Sequence, residues 1–216
     1  MSRGADVPRL SALLGDRAIV AVVDIDDPSN AGELARVLGD SGVDALEVTF
    51  RRPDALESLA RAAEQHTLPV GAGTILSLGA ADTAVAAGAQ FIVSPGLDEH
   101  VVARGCDLGV PTTPGVLTPS EVQAAVRLGC PEVKLFPAGS FGGPDLLHAL
   151  STVFTGVRFM PTGGVDHDAA LDYLGRPEVF AVGGTWIAPR DLVARGDWSE
   201  ISRRAARIRS DVDRLA

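Results

Sequence analysis

The chain has 216 residues, 46% of them hydrophobic and 22% charged, which is ordinary for a globular protein and ample for a substantial core. Nineteen basic against 28 acidic residues leave a formal charge of -9, which disfavours nucleic acid and anionic membranes as partners; an anionic small substrate has to be captured by a local site rather than by the global field. The opening MSRGADVPRL has no apolar core of signal-peptide type, and no apolar run approaches the ~18 residues of a membrane span, so a cytoplasmic location is expected.

Short apolar runs alternate with amphipathic segments along almost the whole chain. A short helix is expected around Arg9 to Leu14. Strands are predicted at AIVAVVD (18–24), ALEVTF (45–50), LPVGAG (68–73) and QFIVS (90–94), then at VPTTP (110–114), EVKLFP (132–137), VRFMP (157–161) and VFAVGG (179–184). Helical patterns fall between them at 30–42, 54–66, 80–88, 119–129 and 144–153, and a C-terminal helix is expected from Trp198 to Leu215. Repeated strand-then-helix order implies a parallel sheet, and eight units in about 200 residues match a compact (β/α)8 barrel with an extra N-terminal helix. A doubly wound open sheet has less support, because Gly-x-Gly-x-x-Gly is absent after the first strand. No linker or low-complexity tract divides the chain, so a single α/β domain over 1–216 is expected.

Among 19 basic residues only one is lysine, and it lies in an apolar strand, PEVKLFPAG. A desolvated ammonium loses its proton more readily, which frees a nucleophilic amine; arginine cannot do this. Lys134 therefore reads as an imine-forming nucleophile, against the alternative of a coding bias that left one lysine by chance. In the second strand, alternation puts Leu46, Val48 and Phe50 outward and Glu47, Thr49 and Arg51 inward. Inward polar residues are costly unless they pair or act, so Glu47 and Arg51 form either a buried ion pair or part of a site. GAGT delivers Thr74 to the same rim, and Phe136 points the same way as Lys134.

Two glycine pairs, Gly163–Gly164 in PTGGV and Gly183–Gly184 in VGGT, follow the seventh and eighth strands. Loops there form a frequent phosphate site in barrels, since glycine lets backbone N–H groups approach an anion closely. Together these residues outline a metal-free aldol cleavage of a phosphorylated 2-keto acid. Lys134 supplies the imine, Glu47 moves protons, Arg51 offers a fork for the carboxylate, and Thr74 and Thr162 give neutral hydrogen bonds. Cys106 and Cys130 have no metal-ligand spacing, and His66, His100, His148 and His167 are scattered, so neither a metal nor a bound cofactor is expected.

The motifs LEVTFR (46–51), VGAGTIL (70–76), FIVSPGL (91–97), PGVLTPSE (114–121), VKLFPA (133–138), PTGGV (161–165) and GGTW (183–186) occur in order from about Ala18 to Trp186. On these the chain resembles the bacterial 2-keto-3-deoxy-6-phosphogluconate (KDPG) aldolases, class I enzymes of the Entner–Doudoroff pathway that also process 4-hydroxy-2-oxoglutarate. The resemblance implies Lys134 as the Schiff-base lysine and Glu47 as general acid/base, with Arg51 and Thr74 on the pyruvate carboxylate. It implies Pro95 and Phe136 as apolar walls and Thr162 near the substrate C4 hydroxyl. Gly163, Gly164 and Gly184 match phosphate-binding backbone, with Thr185 where the family usually has serine. It also implies a homotrimer. Asp24, ending the first strand, departs from the arginine or apolar residue of relatives; it either points into the site or caps the next segment. The rivals are a 4-hydroxy-2-oxoglutarate or galacto-epimer aldolase, a phosphosugar isomerase or epimerase without imine chemistry, and a non-catalytic phosphosugar-binding barrel.

Overall fold

The computed structural model describes residues 8–215; residues 1–7, which open the MSRGADVPRL stretch and the expected 1–216 unit, and Ala216 lie outside it. Helix α1 (Leu10–Leu14) precedes strand β1 (Ala18–Val23), a 3-10 turn at Pro28–Asn30 and helix α2 (Ala31–Asp40). Next come β2 (Ala45–Thr49), α3 (Ala55–Ala63), β3 (Val70–Gly73), α4 (Leu78–Ala86), β4 (Ile92–Val93) and α5 (Glu99–Leu108). Strands β5 (Thr112–Thr113) and β6 (Gly115–Val116) lead to α6 (Pro119–Arg127), β7 (Glu132–Leu135) and α7 (Gly143–Val153). The chain ends with β8 (Arg158–Pro161), α8 (His167–Leu174), β9 (Ala181–Gly184), α9 (Arg190–Arg195) and α10 (Trp198–Asp213).

The sheet is parallel at every pairing and curls. One part runs in the order β5-β4-β3-β2-β1-β9 and the other β6-β7-β8. Two isolated parallel bridges, Phe159 with Val179 and Thr162 with Gly183, join β8 to the β9 side. The strand expected at 110–114 is reduced to Thr112–Thr113, and a further strand, β6, follows beyond its expected end. Pro114 separates the two because it has no N–H for the ladder, while its carbonyl accepts from Lys134 N at 2.9 Å. The second strand stops at Thr49 rather than Phe50, and the chain turns at Phe50 and Arg51.

All six residues of β1 are buried, and alternation sends them to two different cores. Ile19, Ala21 and Val23 join the layer between sheet and helices, with Leu46, Val48, Leu34 and Leu38. In α2, Ala31, Leu34, Ala35 and Leu38 repeat at helical spacing, so one stripe faces that layer; burying each leucine contributes roughly 1.5–3 kcal/mol. Ala18, Val20 and Val22 face the other way, with Leu10, Phe91, Met160 and Phe180. Glu47 and Lys134 belong to this inner face, above its apolar plug. At the amino ends of the strands, buried Glu132 accepts from Ser11 N–H at 3.0 Å and from the Ser11 hydroxyl, tying α1 to β7.

Helix starts are locally encoded. Ser77, Asp98, Asp166 and Asp197 accept from backbone N–H groups at the starts of α4, α5, α8 and α10, while Thr118 and Glu121 form a capping box at α6. Among the described residues no helix is long and apolar enough to cross a membrane.

Candidate active site

Lys134 and Glu47 arrive from separate strands, 87 residues apart, and meet on the inner face: Nζ stands 3.5 Å from Oε1. Both are buried, with 6% and 0% of their side chains exposed. A buried ion pair is a weak source of stability, because desolvation offsets the attraction, so its presence asks for another reason. The second glutamate oxygen, Oε2, is buried without a protein partner, an acceptor left open for a ligand proton. The Lys134 ammonium lies over the Phe136 ring, 5.0 Å from its centroid, which places an aromatic wall beside the amine.

Glycine makes this meeting sterically feasible. A Cβ on Gly73 would stand 2.1 Å from Glu47 Oε1, so the carboxylate rests on the bare backbone of β3. A Cβ on Gly115 would meet the Pro95 carbonyl at 2.2 Å, and one on Gly163 would meet the Phe136 ring at 2.8 Å. After β3 the chain takes Thr74 through φ 61°, a left-handed conformation unusual for a β-branched residue and costing on the order of 1–3 kcal/mol. The half-buried threonine is thereby fixed at the carboxyl end of the strand, next to Glu47's strand.

Thr162 is buried, its hydroxyl 3.3 Å from the Met160 carbonyl and its backbone bridged to Gly183. That bridge brings the ends of β8 and β9 together, and with them Gly163, Gly164, Gly184 and the exposed Thr185. Gly163 and Gly164 have φ of 85° and 72°, and their N–H groups donate to no backbone carbonyl among the described residues. A Cβ on Gly184 would fall 1.5 Å from the Trp186 ring. Free N–H groups on side-chain-free backbone are the elements of an anion cradle.

Arg51 differs from its expected setting. Its half-exposed guanidinium meets Asp24 Oδ2 at 3.4 Å, and among the described residues no contact joins it to Glu47 or Lys134. The buried partner of Glu47 is therefore Lys134, not Arg51, because β2 ends before Arg51 and the arginine lies past the buried layer. Asp24 is not a cap: its side chain turns to Thr49 and Arg51, and Asp27 caps the 3-10 turn instead. Sequence reasoning also missed Asp26, which takes Arg190 at 2.7 Å and Arg52 at 3.1 Å. The hydrogen bond from Arg190 outweighs desolvation and holds the Asp26 carboxyl below its usual range. Paired acids in DIDD and paired arginines in FRR were the available signal. No group of three His, Cys, Asp or Glu side chains suited to a metal ion occurs among the described residues.

The chain is similar to known proteins over most of its length. The model of the family "KDPG and KHG aldolase" matches residues 10–204. A 2-dehydro-3-deoxy-phosphogluconate aldolase of Pseudomonas aeruginosa is 40% identical over 196 residues, covering 90% of this chain and 89% of its own. The KHG/KDPG aldolase of Escherichia coli K12 is 36% identical over 195 residues, covering 90% and 92%. Among solved structures, the KDPG aldolase of Legionella pneumophila, with pyruvate captured at low pH as a covalent carbinolamine intermediate, superposes with a TM-score of 0.88. It is 34% identical, over 93% of this chain and 98% of its own.

Proposed function

Because this chain belongs to the KDPG and KHG aldolase family, we propose that it is a class I aldolase cleaving 2-dehydro-3-deoxy-6-phosphogluconate to pyruvate and glyceraldehyde 3-phosphate. The observation that carries the reading is the buried Lys134–Glu47 pair, with the second carboxylate oxygen unpartnered.

Lys134 Nζ attacks the C2 ketone, and the carbinolamine loses water to give a protonated imine. That imine accepts the electron pair of the C3–C4 bond as it breaks, leaving an enamine on Lys134 and releasing the aldehyde. Glu47 relays protons: from the attacking amine, to the departing hydroxyl, from the C4 hydroxyl, and to the enamine carbon, before water hydrolyses the pyruvyl imine. Its position 3.5 Å from Nζ, supported on Gly73, suits all four transfers. Arg51 and Thr74 hold the substrate carboxylate, Pro95 and Phe136 wall the pyruvyl unit, and Thr162 addresses the C4 hydroxyl. Gly163, Gly164, Gly184 and Thr185 hold the phosphate through backbone N–H groups and one hydroxyl. The chemistry runs on a covalent lysine imine with no metal and no bound cofactor.

The same reading takes 1–216 as one domain and its strands as a closed (β/α)8 barrel in which α1 plugs the amino end. Support comes from the two bridges between the β8 and β9 sides and from the single residue, Pro114, between β5 and β6. A homotrimer is proposed by likeness to the family. A second reading, cleavage of 4-hydroxy-2-oxoglutarate, is favoured by the Escherichia coli relative's name. Steady-state pyruvate release from both substrates tests the assignment. A kcat/KM at least tenfold higher for the phosphorylated acid supports the first; equal or reversed values favour the second, and no pyruvate from either refutes both.

A further inference from the structure

The loop after β1 carries two acids that engage three arginines at the carboxyl ends of the strands. Asp26 is a tight partner, shared by Arg190 and Arg52 through contacts of 2.7 and 3.1 Å. Asp24 is a loose one. Its Oδ1 meets the Thr49 hydroxyl, which anchors it, while Oδ2 reaches Arg51 Nη1 by a single contact of 3.4 Å. The Arg51 side chain is 51% exposed, and most of its five donors are left uncommitted. A guanidinium fork binds a carboxylate best through two parallel hydrogen bonds, so this single long contact is readily exchanged for a better one. Arg51 stands four residues after Glu47, just beyond the carboxyl end of β2. Of the three arginines, it alone has a partner weak enough to give up.

We infer that Asp24 is a specificity-determining residue that acts through Arg51, as a built-in competitor for the carboxylate of the incoming 2-keto acid. The inference rests on the reading of Arg51 as the carboxylate partner. Binding then exchanges one carboxylate for another: Arg51 leaves Asp24 and closes on the ligand, and Asp24 stays behind as a like charge held by Thr49. Both effects weaken binding of the carboxylate end. Only a ligand that also secures Lys134 and the glycine backbone recovers the difference, so short anions are disfavoured relative to the full substrate.

The test uses pyruvate, the shortest 2-keto acid that engages Lys134, and follows exchange of its methyl protons for deuterium by NMR. Wild type, Asp24→Asn and Asp24→Ser are compared, each also with Arg51→Gln, and circular dichroism checks folding of every variant. Removing the charge lowers the half-saturating pyruvate concentration about three- to tenfold, the effect of one like charge a few ångströms away in a partly aqueous site. The change falls on KM rather than kcat, and it shrinks in the Arg51→Gln background to the like-charge part alone, a coupling that a merely structural role of Asp24 would not produce. Unchanged or raised half-saturation in whichever Asp24 variant folds, or a gain of undiminished size without Arg51, overturns the inference while the aldolase reading stands. Absence of exchange by wild type sinks that reading, and the inference with it.

Discussion

Gly73→Ala is the substitution that most directly probes how the fold positions the general acid/base. Gly73 has no left-handed φ, so the backbone of β3 accepts alanine; the obstacle is the Glu47 carboxylate. The new methyl would lie 2.1 Å from Oε1 and 2.7 Å from both Cδ and Cγ, whereas ordinary contact begins at 3.4 Å. Oε1 therefore has to retreat by about 1.3 Å, in a buried setting where Glu47 has no exposed surface to move into. Overpacking of this kind costs about 1–3 kcal/mol of stability, and a misplacement near 1 Å costs on the order of a hundredfold in rate. The expected variant is folded, melts several degrees lower, and loses about a hundredfold or more in kcat for pyruvate release. Its reduced pyruvate adduct on Lys134 still forms, more slowly. Wild-type turnover in folded Gly73→Ala would refute the placement of Glu47 against β3.

Glu47→Gln keeps the side-chain shape but cannot carry protons, so turnover falls by about 10²–10⁴ while a slow adduct on Lys134 remains detectable by mass; undiminished turnover contradicts the assignment. Burial pushes the Cys130 thiol up to about 12, so at pH 8 its thiolate is roughly one part in 10⁴. An aromatic disulfide reagent therefore leaves Cys130 untouched in the native protein, and rapid labelling of both thiols contradicts the packing. Hydrogen bonds from Arg203 and Arg204 depress the Glu200 carboxyl from 4.5 to about 2. A depressed carboxyl stabilises the fold above its unfolded value and loses that contribution as pH falls. Glu200→Gln thus melts slightly below wild type at pH 7, and the gap closes between pH 4.5 and 2; a constant gap excludes this linkage.

Much of the architecture was legible because its signals are local. Apolar runs, helical stripes and caps such as Thr118 with Glu121 lie within a few residues of the elements they specify. Lys134 was legible for a different reason: a lone lysine in an apolar strand contradicts its surroundings, and Glu47 contradicts its own in the same way. What could not be read depends on contacts between distant segments. The use of Gly73 as a seat for Glu47, of Gly115 as clearance for Pro95, and of Ser11 as donor to Glu132 all require knowing which strands are neighbours. Arg51 followed the period-two pattern on paper, but β2 ends at Thr49, and past that point alternation no longer fixes a side chain. Asp24 was therefore open between two settings until Thr49 and Arg51 were seen to hold it.

The central claim is a covalent imine on one residue. Lys134 is the only lysine in the chain, so reductive trapping has a single side-chain amine to find. Intact-mass analysis after incubation with pyruvate and borohydride, run on wild type and on Lys134→Arg, reads it directly. The account predicts one reduced pyruvate adduct on wild type, mapped to the Lys134 peptide and absent from the variant. Folded wild-type protein without an adduct, or an adduct of equal yield on Lys134→Arg, would contradict it.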